Sequence, residues 1–426
     1  MLDVVANHVG PIGTDYTKIN PFNLAEHYHD YCDITDWSNQ WQVENRRFLG
    51  LPDLNQENEF VAQTFLTWIR EIINKYNIDG IRVGTIMQVP KTFWDLFRKA
   101  AGVFQIGEAF NGDVNYIKDY QNYLDSIFNY PLYYSIQSSY CGSFKHLEEY
   151  WLNTHNKYPV PQYIANFVEN HDNPRFLNKC KDISKFTNAI IFSLLWEGIP
   201  VFYYGGEQYY SGGDDPNNRE PLWDNYNNST ELYKLIGIIN NLRKTQKIWN
   251  QGVMQRFADD NFYAFTRGDI LACFTNNNNS LERNITYHSF SEGTVLCNAL
   301  YDGDCVTISE GSINIVMGDY PKVYVKQNKI IQIIHNSDSD NNESKESSNK
   351  ISSGIIIVII AGIIIFIIII VIFIFWIYKL KKNILIIFQT NSQDKVKISI
   401  DPDKTIGDLI ENYFNKIKRR DLYYIC

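Results

Sequence analysis

Two hydrophobic periods alternate along the first part of the chain. Phe60, Val61, Phe65, Leu66, Ile69, Ile72 and Ile73 fall at the three-and-four spacing of an amphipathic helix. From Asp79 the apolar residues alternate with others as in a strand, so Arg82 and Gly84 look the same way. The alternation then repeats. A helix with Phe93, Leu96 and Phe97 precedes the apolar run 103–106, and 126–130 reads as another strand. A helix near 146–151 leads to a strand over 163–168, a helix over about 183–196 leads to 199–204, and 232–242 is the last helix. Strands alternating with helices predict an α/β fold with a parallel sheet closed by helices. Polar clusters follow the strands directly, at the face where such barrels build their sites. The pattern predicts a six-strand remainder of an eight-strand barrel over 1–250, with an aperiodic, aromatic-rich inserted loop subdomain over 10–58.

From about Gln255 the pattern becomes all-β. Short runs such as Phe262-Tyr263-Ala264-Phe265 and Ile270-Leu271-Ala272-Cys273-Phe274 are broken by Asn, Asp and Gly, which predicts a small antiparallel β-sandwich over 251–330. Residues 336–353 turn to Ser, Asn, Asp, Glu and Lys, and 331–353 is expected to be a disordered stalk. Residues 354–378 are almost wholly apolar and carry no charge. As a helix they would span about 37 Å, more than the roughly 30 Å hydrocarbon core of a bilayer, so one transmembrane helix is expected. Lys379, Lys381 and Lys382 put the tail 379–426 on the cytoplasmic side and the N-terminal domain outside the cell or in a lumen. Met1 to His8 has no basic segment, apolar core or cleavage site. The chain is therefore expected to begin inside a longer protein. In the tail, 395–400 alternates like a strand and 405–417 has helical spacing, a faint resemblance to the opening of a ubiquitin-like fold.

Composition narrows the classes. With 426 residues, 45% of them hydrophobic, the chain has room for two or three domains and a large core. A net charge of -9 argues against nucleic acid as a partner. The seven cysteines form no CxxC pair, which disfavours a zinc site. Cys297 and Cys305 lie close enough to bridge two strands, and two free buried thiols fit equally well. Asn278, Asn284 and Asn227 or Asn228 head N-x-Ser/Thr sequons, which matter if the domain is lumenal.

The chemistry rests on motifs taken in order. Gly80-Ile81-Arg82-Val83-Gly84-Thr85-Ile86-Met87-Gln88 resembles the strand that carries the nucleophile in the α-amylase family of glycoside hydrolases, most closely the fungal type. That pattern is Gly-x-Arg-x-Asp-x-x-Lys-His. Gly80 and Arg82 fit, the carboxylate position is Gly84, and Met87-Gln88 replaces Lys-His. Asp3-Val4-Val5-Ala6-Asn7-His8 resembles the end of the family's third strand, so the resemblance implies an incomplete TIM (β/α)8 barrel lacking its first strands. Gly107-Glu108-Ala109-Phe110 resembles the acid motif and implies Glu108 as proton donor. The string from Phe167 to Arg175 resembles the motif supplying a transition-state carboxylate, Asp172, and a hydroxyl-binding imidazole, His171. Singly, such residues are ordinary solvated loop groups or helix caps; their order favours a site.

The same resemblance implies His8 as a second sugar-binding histidine, Arg82 as the group that orients the nucleophile or faces a water-filled gap, and Asp215 and Arg219 near the donor sugar. It implies calcium held by Asn7, Glu44, Asp53 and the carbonyl of Gln88, all hard oxygens as calcium requires. His27, His29 and Cys32 have metal-like spacing but read better as part of an aromatic loop. The implied activity is retaining hydrolysis of α-1,4-glucans such as starch and glycogen, which needs two carboxylates about 5 to 5.5 Å apart. Gly84 removes one of them. Asp79 lies about 16 Å back along a strand, and Thr85 is expected on the opposite face, so neither substitutes. The alternative is a membrane-tethered protein that binds glucan without cleaving it.

Overall fold

The computed structural model describes residues 1–329 and the segments 384–389 and 395–400. They fall into two units, Met1–Asp340 and Asn341–Cys426.

Six short strands of the first unit run parallel in chain order: β1 (Leu2–Val4), β2 (Gly80–Val83), β3 (Phe104–Gly107), β4 (Ser126–Ile127), β5 (Ala165–Asn166) and β6 (Ile199–Pro200). β1 to β4 form one sheet, a parallel bridge from Phe128 to Ala165 continues it, and β5 pairs with β6. The register sets Asp3 opposite Arg82 and Arg82 opposite Ile106. In the central strands β2 and β3 all positions but Arg82 and Phe104 are buried.

The helices are α1 (Gln40–Asn45), α2 (Glu59–Tyr76), α3 (Lys91–Ala101), α4 (Val114–Ile117), α5 (Tyr130–Tyr140), α6 (Lys145–Thr154), α7 (Phe176–Cys180), α8 (Ile183–Leu195) and α9 (Glu231–Gln246). α2 shows how sequence sets an element. The Asn58 side chain accepts from the Phe60 and Val61 amides, and Asn77 ends the helix in the left-handed region. Between them Val61, Phe65, Ile69 and Ile73 form one buried stripe. The strand expected over 126–130 stops at Ile127. Asn129 caps the Leu132 amide and Pro131 stands in the first turn, so the apolar run continues as α5.

The all-β part is a six-stranded antiparallel sheet in the order β12-β11-β14-β9-β8-β7, with a two-stranded partner β10-β13. The strands are β7 (Val253–Ala258), β8 (Phe262–Arg267), β9 (Ile270–Thr275), β10 (Leu281–Ile285), β11 (Val295–Asn298), β12 (Cys305–Thr307), β13 (Ile313–Met317) and β14 (Lys322–Lys326). β8 and β9 are buried on both faces. Phe262, Ala264, Leu271 and Cys273 point into the sandwich, while Tyr263, Phe265, Ile270, Ala272 and Phe274 join the helical core. Phe192 and Trp196 from the end of α8 stack there, with Trp196 set edge-on to Phe265.

Two disulfides close this unit. Cys297 and Cys305 stand directly opposite in the β11–β12 pair and are bonded. Cys141, at the end of α5, is bonded to Cys180, the last residue of α7. In the second unit β15 (Ile384–Gln389) and β16 (Lys395–Ile400) pair antiparallel, with Ile384 opposite Ile400. Among the described residues no helix is long and apolar enough to cross a membrane. The stalk 331–353, the expected span 354–378 and the 405–417 helix lie outside the described residues.

Candidate active site

A cavity of about 680 Å³ opens at the C-terminal ends of β2, β3 and β5. Arg82, Gly84, Glu108, His171 and Asp172 all line it, so three separate strand ends deliver the expected groups to one place. Trp37, Phe48 and Phe110 supply apolar walls, drawn partly from the inserted loop.

Arg82 is the hub. Its guanidinium donates to Asp3 at 2.8 and 3.1 Å and also to Glu108. The gap beside Gly84 thus does not leave Arg82 facing empty space. A half-buried guanidinium without a carboxylate at 84 finds two others, because burying it unpaired would be costly. Tyr130 donates to the other Glu108 oxygen at 2.8 Å and accepts from Asn170 at 2.9 Å. Burial pushes the Glu108 carboxyl above its usual range, opposed by Arg82 and the Tyr130 hydroxyl, while Asp172 adds to the upward shift. A carboxyl with raised proton affinity suits proton donation.

Asp172 lies 3.4 Å from His171 Nε2 and 3.7 Å from Arg219 Nη2. Arg219 Nε is 3.2 Å from Asp215 and also donates to the His171 carbonyl. Asp215 and Arg219 therefore stand just outside the cavity wall, joined to it through Asp172. His8 does not line the cavity. Its neighbours Asn7 and Val9 are held by main-chain bonds to Leu54 and Pro52, and its Nδ1 lies 3.2 Å from the Val9 carbonyl. Thr85 departs from simple alternation too. The strand ends at Val83, Thr85 adopts φ 54°, and it lines the cavity while its hydroxyl donates to Asn7 at 2.6 Å. A β-branched residue in that region is strained, and this one is held by the hydrogen bond.

Behind the site Arg175 is fully buried. It donates to Glu169 at 3.3 Å, Glu220 at 3.1 Å and the Tyr204 carbonyl at 2.7 Å, with its guanidinium over the Tyr203 ring. Glu169 also accepts from the Phe176 amide, and Glu220 from Gly212. Burial pushes Glu169 up to about 7, against the pull of Arg175. This clamp ties the segment carrying His171 and Asp172 to the loop carrying Asp215 and Arg219.

The residues expected to hold calcium are Asn7, Glu44, Asp53 and Gln88. Asn7 and Asp53 are buried, and Asn7 Nδ2 and Asp53 Oδ1 have no partner. The other Asp53 oxygen is 2.7 Å from His29. Turning the Asn7 amide over would let its nitrogen donate to the Thr85 hydroxyl and bring its oxygen to the unpartnered side. The Glu44 carboxyl accepts from Gln40, whose amide also reaches the Met87 carbonyl beside Gln88. Among the described residues no three His, Cys, Asp or Glu side chains form a metal-binding group. The residue types, two carboxylates, an amide and a main-chain carbonyl, offer the hard oxygens that calcium takes, and Asp53 Oδ1 is unpartnered.

Sequence reasoning missed Asp3, Tyr130 and Asn170. Asp3 enters only through strand register, and Tyr130 was concealed in a run read as strand.

Parallel strands with an arginine, two acidic groups and a histidine at their C-terminal ends, inside aromatic walls, define a (β/α)-barrel of the glycosidase kind. The chain belongs to the α-amylase family: the model of the α-amylase catalytic domain matches residues 1–266. An α-amylase from Saccharomycopsis fibuligera is 36% identical over 347 residues, 76% of this chain and 69% of the relative. α-Amylase 2 of Schwanniomyces occidentalis is 34% identical over 350 residues, covering 76% and 68%. Among solved structures, an α-amylase from Malbranchea cinnamomea superposes with a TM-score of 0.73 at 31% identity, over 76% of this chain and 74% of that one. The α-amylase of Geobacillus thermoleovorans, solved in complex with acarbose, gives 0.70 at 29% identity, covering 76% of each chain.

Proposed function

We propose that this chain binds α-1,4-glucans such as starch and glycogen in the cleft between β2, β3 and β5, and that retaining hydrolysis is blocked at Gly84. One observation carries the reading: Glu108, Asp172 and His171 converge on a single cavity that Gly84, which offers no carboxylate, also lines. The retaining route needs a carboxylate oxygen there to form the glycosyl–enzyme bond. Binding needs only the walls, the imidazole and the acids. Glu108 keeps the raised proton affinity of a donor without a nucleophile to work with.

Isothermal titration of the 426-residue chain with maltoheptaose is expected to show saturable binding, with no reducing ends released from soluble starch. His171→Ala should weaken that binding about tenfold. Turnover by the parent chain would overturn the silent reading, and absence of binding would overturn the glucan assignment.

Calcium belongs to the same reading. Asn7, Glu44, Asp53 and the Gln88 carbonyl would hold it, and it would pin the inserted loop to the ends of β1 and β2. Removing it with EGTA is expected to lower the thermal midpoint, with recovery on adding calcium but not magnesium. A ligand at a hundred times its Kd contributes about 2.7 kcal/mol, so a shift of several degrees is expected. An unchanged midpoint would remove calcium from the account.

The placement we propose is a single-pass membrane protein, with residues 354–378 in the bilayer and the barrel on the extracellular or lumenal side. The two disulfides support an oxidising compartment for the barrel.

A further inference from the structure

The cleft has two unlike sides. Arg82, Glu108, His171 and Asp172 bring charge and hydrogen-bonding groups from the ends of β2, β3 and β5. Trp37, Phe48 and Leu49 of the inserted loop, with Met87 after β2, bring apolar surface and a single indole N–H. These apolar residues belong together. The Trp37 and Phe48 rings meet edge to face at 5.8 Å, and Gln40 of the same loop donates to the Met87 carbonyl at 3.2 Å. We propose that this apolar side receives the aglycone of an amphipathic ligand, so that the chain takes an α-maltoside carrying an alkyl chain more tightly than the sugar alone. The proposal rests on the glucan reading given above and narrows its ligand class.

The first argument is what the side chains offer. A sugar is held by hydrogen bonds and by its C–H face against an aromatic ring. Leu49 and Met87 supply neither. Aliphatic surface gains by meeting other apolar surface, in proportion to the area removed from water, and an alkyl chain provides that surface. Met87 stands where the family pattern carries lysine, so no ammonium has to lose its water against such a chain. An unbranched thioether also adapts to the shape of what it meets.

The second argument is Leu49 itself. It is 80% exposed, and its φ of 52° lies in the left-handed region, where a bulky side chain is strained. Among the described residues it joins none of the buried hydrophobic clusters. The fold therefore gains nothing from a leucine here, and asparagine would hold the same backbone with less strain. Trp37, on the same cavity, is 53% exposed. Apolar surface left open at the rim of a polar cleft marks the place of an apolar ligand group.

The test uses the 426-residue chain and two probes with one sugar, methyl α-maltoside and hexyl α-maltoside, titrated below the concentration at which the longer one forms micelles. Hexyl α-maltoside is expected to bind at least about tenfold more tightly, with a more negative heat-capacity change, and maltoheptaose should displace it. Leu49→Asn should cut the advantage to about threefold or less. Methyl α-maltoside affinity should be kept, and the thermal midpoint should not fall, because asparagine accepts the left-handed backbone. Met87→Gln, similar in shape, should lower the hexyl advantage in the same direction. Equal affinity of the parent for the two maltosides, or a hexyl advantage that survives both substitutions, would overturn the apolar site. If His171→Ala still weakens maltoheptaose binding in that case, the cleft assignment stands without it. If the parent binds neither maltoside nor maltoheptaose, both assignments fall.

Discussion

Gly84→Asp, in a chain with the first barrel strands restored, is expected to raise reducing-end release from soluble starch by on the order of 10³-fold or more, the scale on which loss of a nucleophile acts. The backbone allows the change, since Gly84 is not in the left-handed region where a side chain is strained. Space allows it with one adjustment. A Cβ at 84 would sit 3.0 Å from Arg82 Nη1 and 3.4 Å from Val5 Cγ2, so the flexible end of Arg82 must give by a few tenths of an ångström. That movement favours function. The guanidinium gains a third carboxylate partner, which holds the new group ionised. Its share in Glu108 weakens, and burial then favours the protonated donor. Two carboxyls with separated proton affinities are what the retaining reaction requires. Gly84→Asn has nearly the same shape without the charge and should give no gain. A folded Gly84→Asp chain that binds maltoheptaose but releases nothing would show that the barrier to turnover lies beyond residue 84.

The parts of this molecule legible in its sequence are those governed by local periodicity. The stripe in α2, the alternation of β2 and the apolar runs ending at Glu108 and Glu169 gave strand order and placed the polar groups on one face. The α-amylase resemblance then assigned those groups. What escaped depends on contacts distant in sequence. Arg82 turns toward Asp3 because β1 lies beside β2 in register, a pairing that no spacing within either strand encodes. Tyr130 was hidden because an apolar run of that length reads as strand or helix until its cap, here Asn129, decides. Cys141 and Cys180 are 39 residues apart, and nothing local pairs them. His8 is placed by contacts of the same distant kind. Its motif is intact, and main-chain bonds from its neighbours Asn7 and Val9 tie it to the inserted loop.

Arg175→Ala should produce the largest loss of stability of any single change near the site. Removing one partner of a buried ion pair typically costs about 3–5 kcal/mol, which lowers the thermal midpoint by roughly 6 °C or more. Here the cost has identifiable sources. Glu169 would be left buried with a proton affinity already pushed up to about 7, and the Tyr204 carbonyl would lose its donor. Three tyrosine rings, Tyr203, Tyr204 and Tyr210, would face a void where the guanidinium lay. If stranded charge dominates, Arg175→Met with Glu169→Gln should recover part of the loss, because two neutral groups of similar volume need no counter-ion. If the void dominates, the double variant should be no better than Arg175→Met alone. Either way the 203–220 loop loses its tether to the segment after β5, and Arg219 can no longer be held against Asp172. Glucan affinity should then fall in the same variants even below their melting temperature, and undiminished binding in a folded Arg175→Met chain would show that the loop is positioned by other contacts.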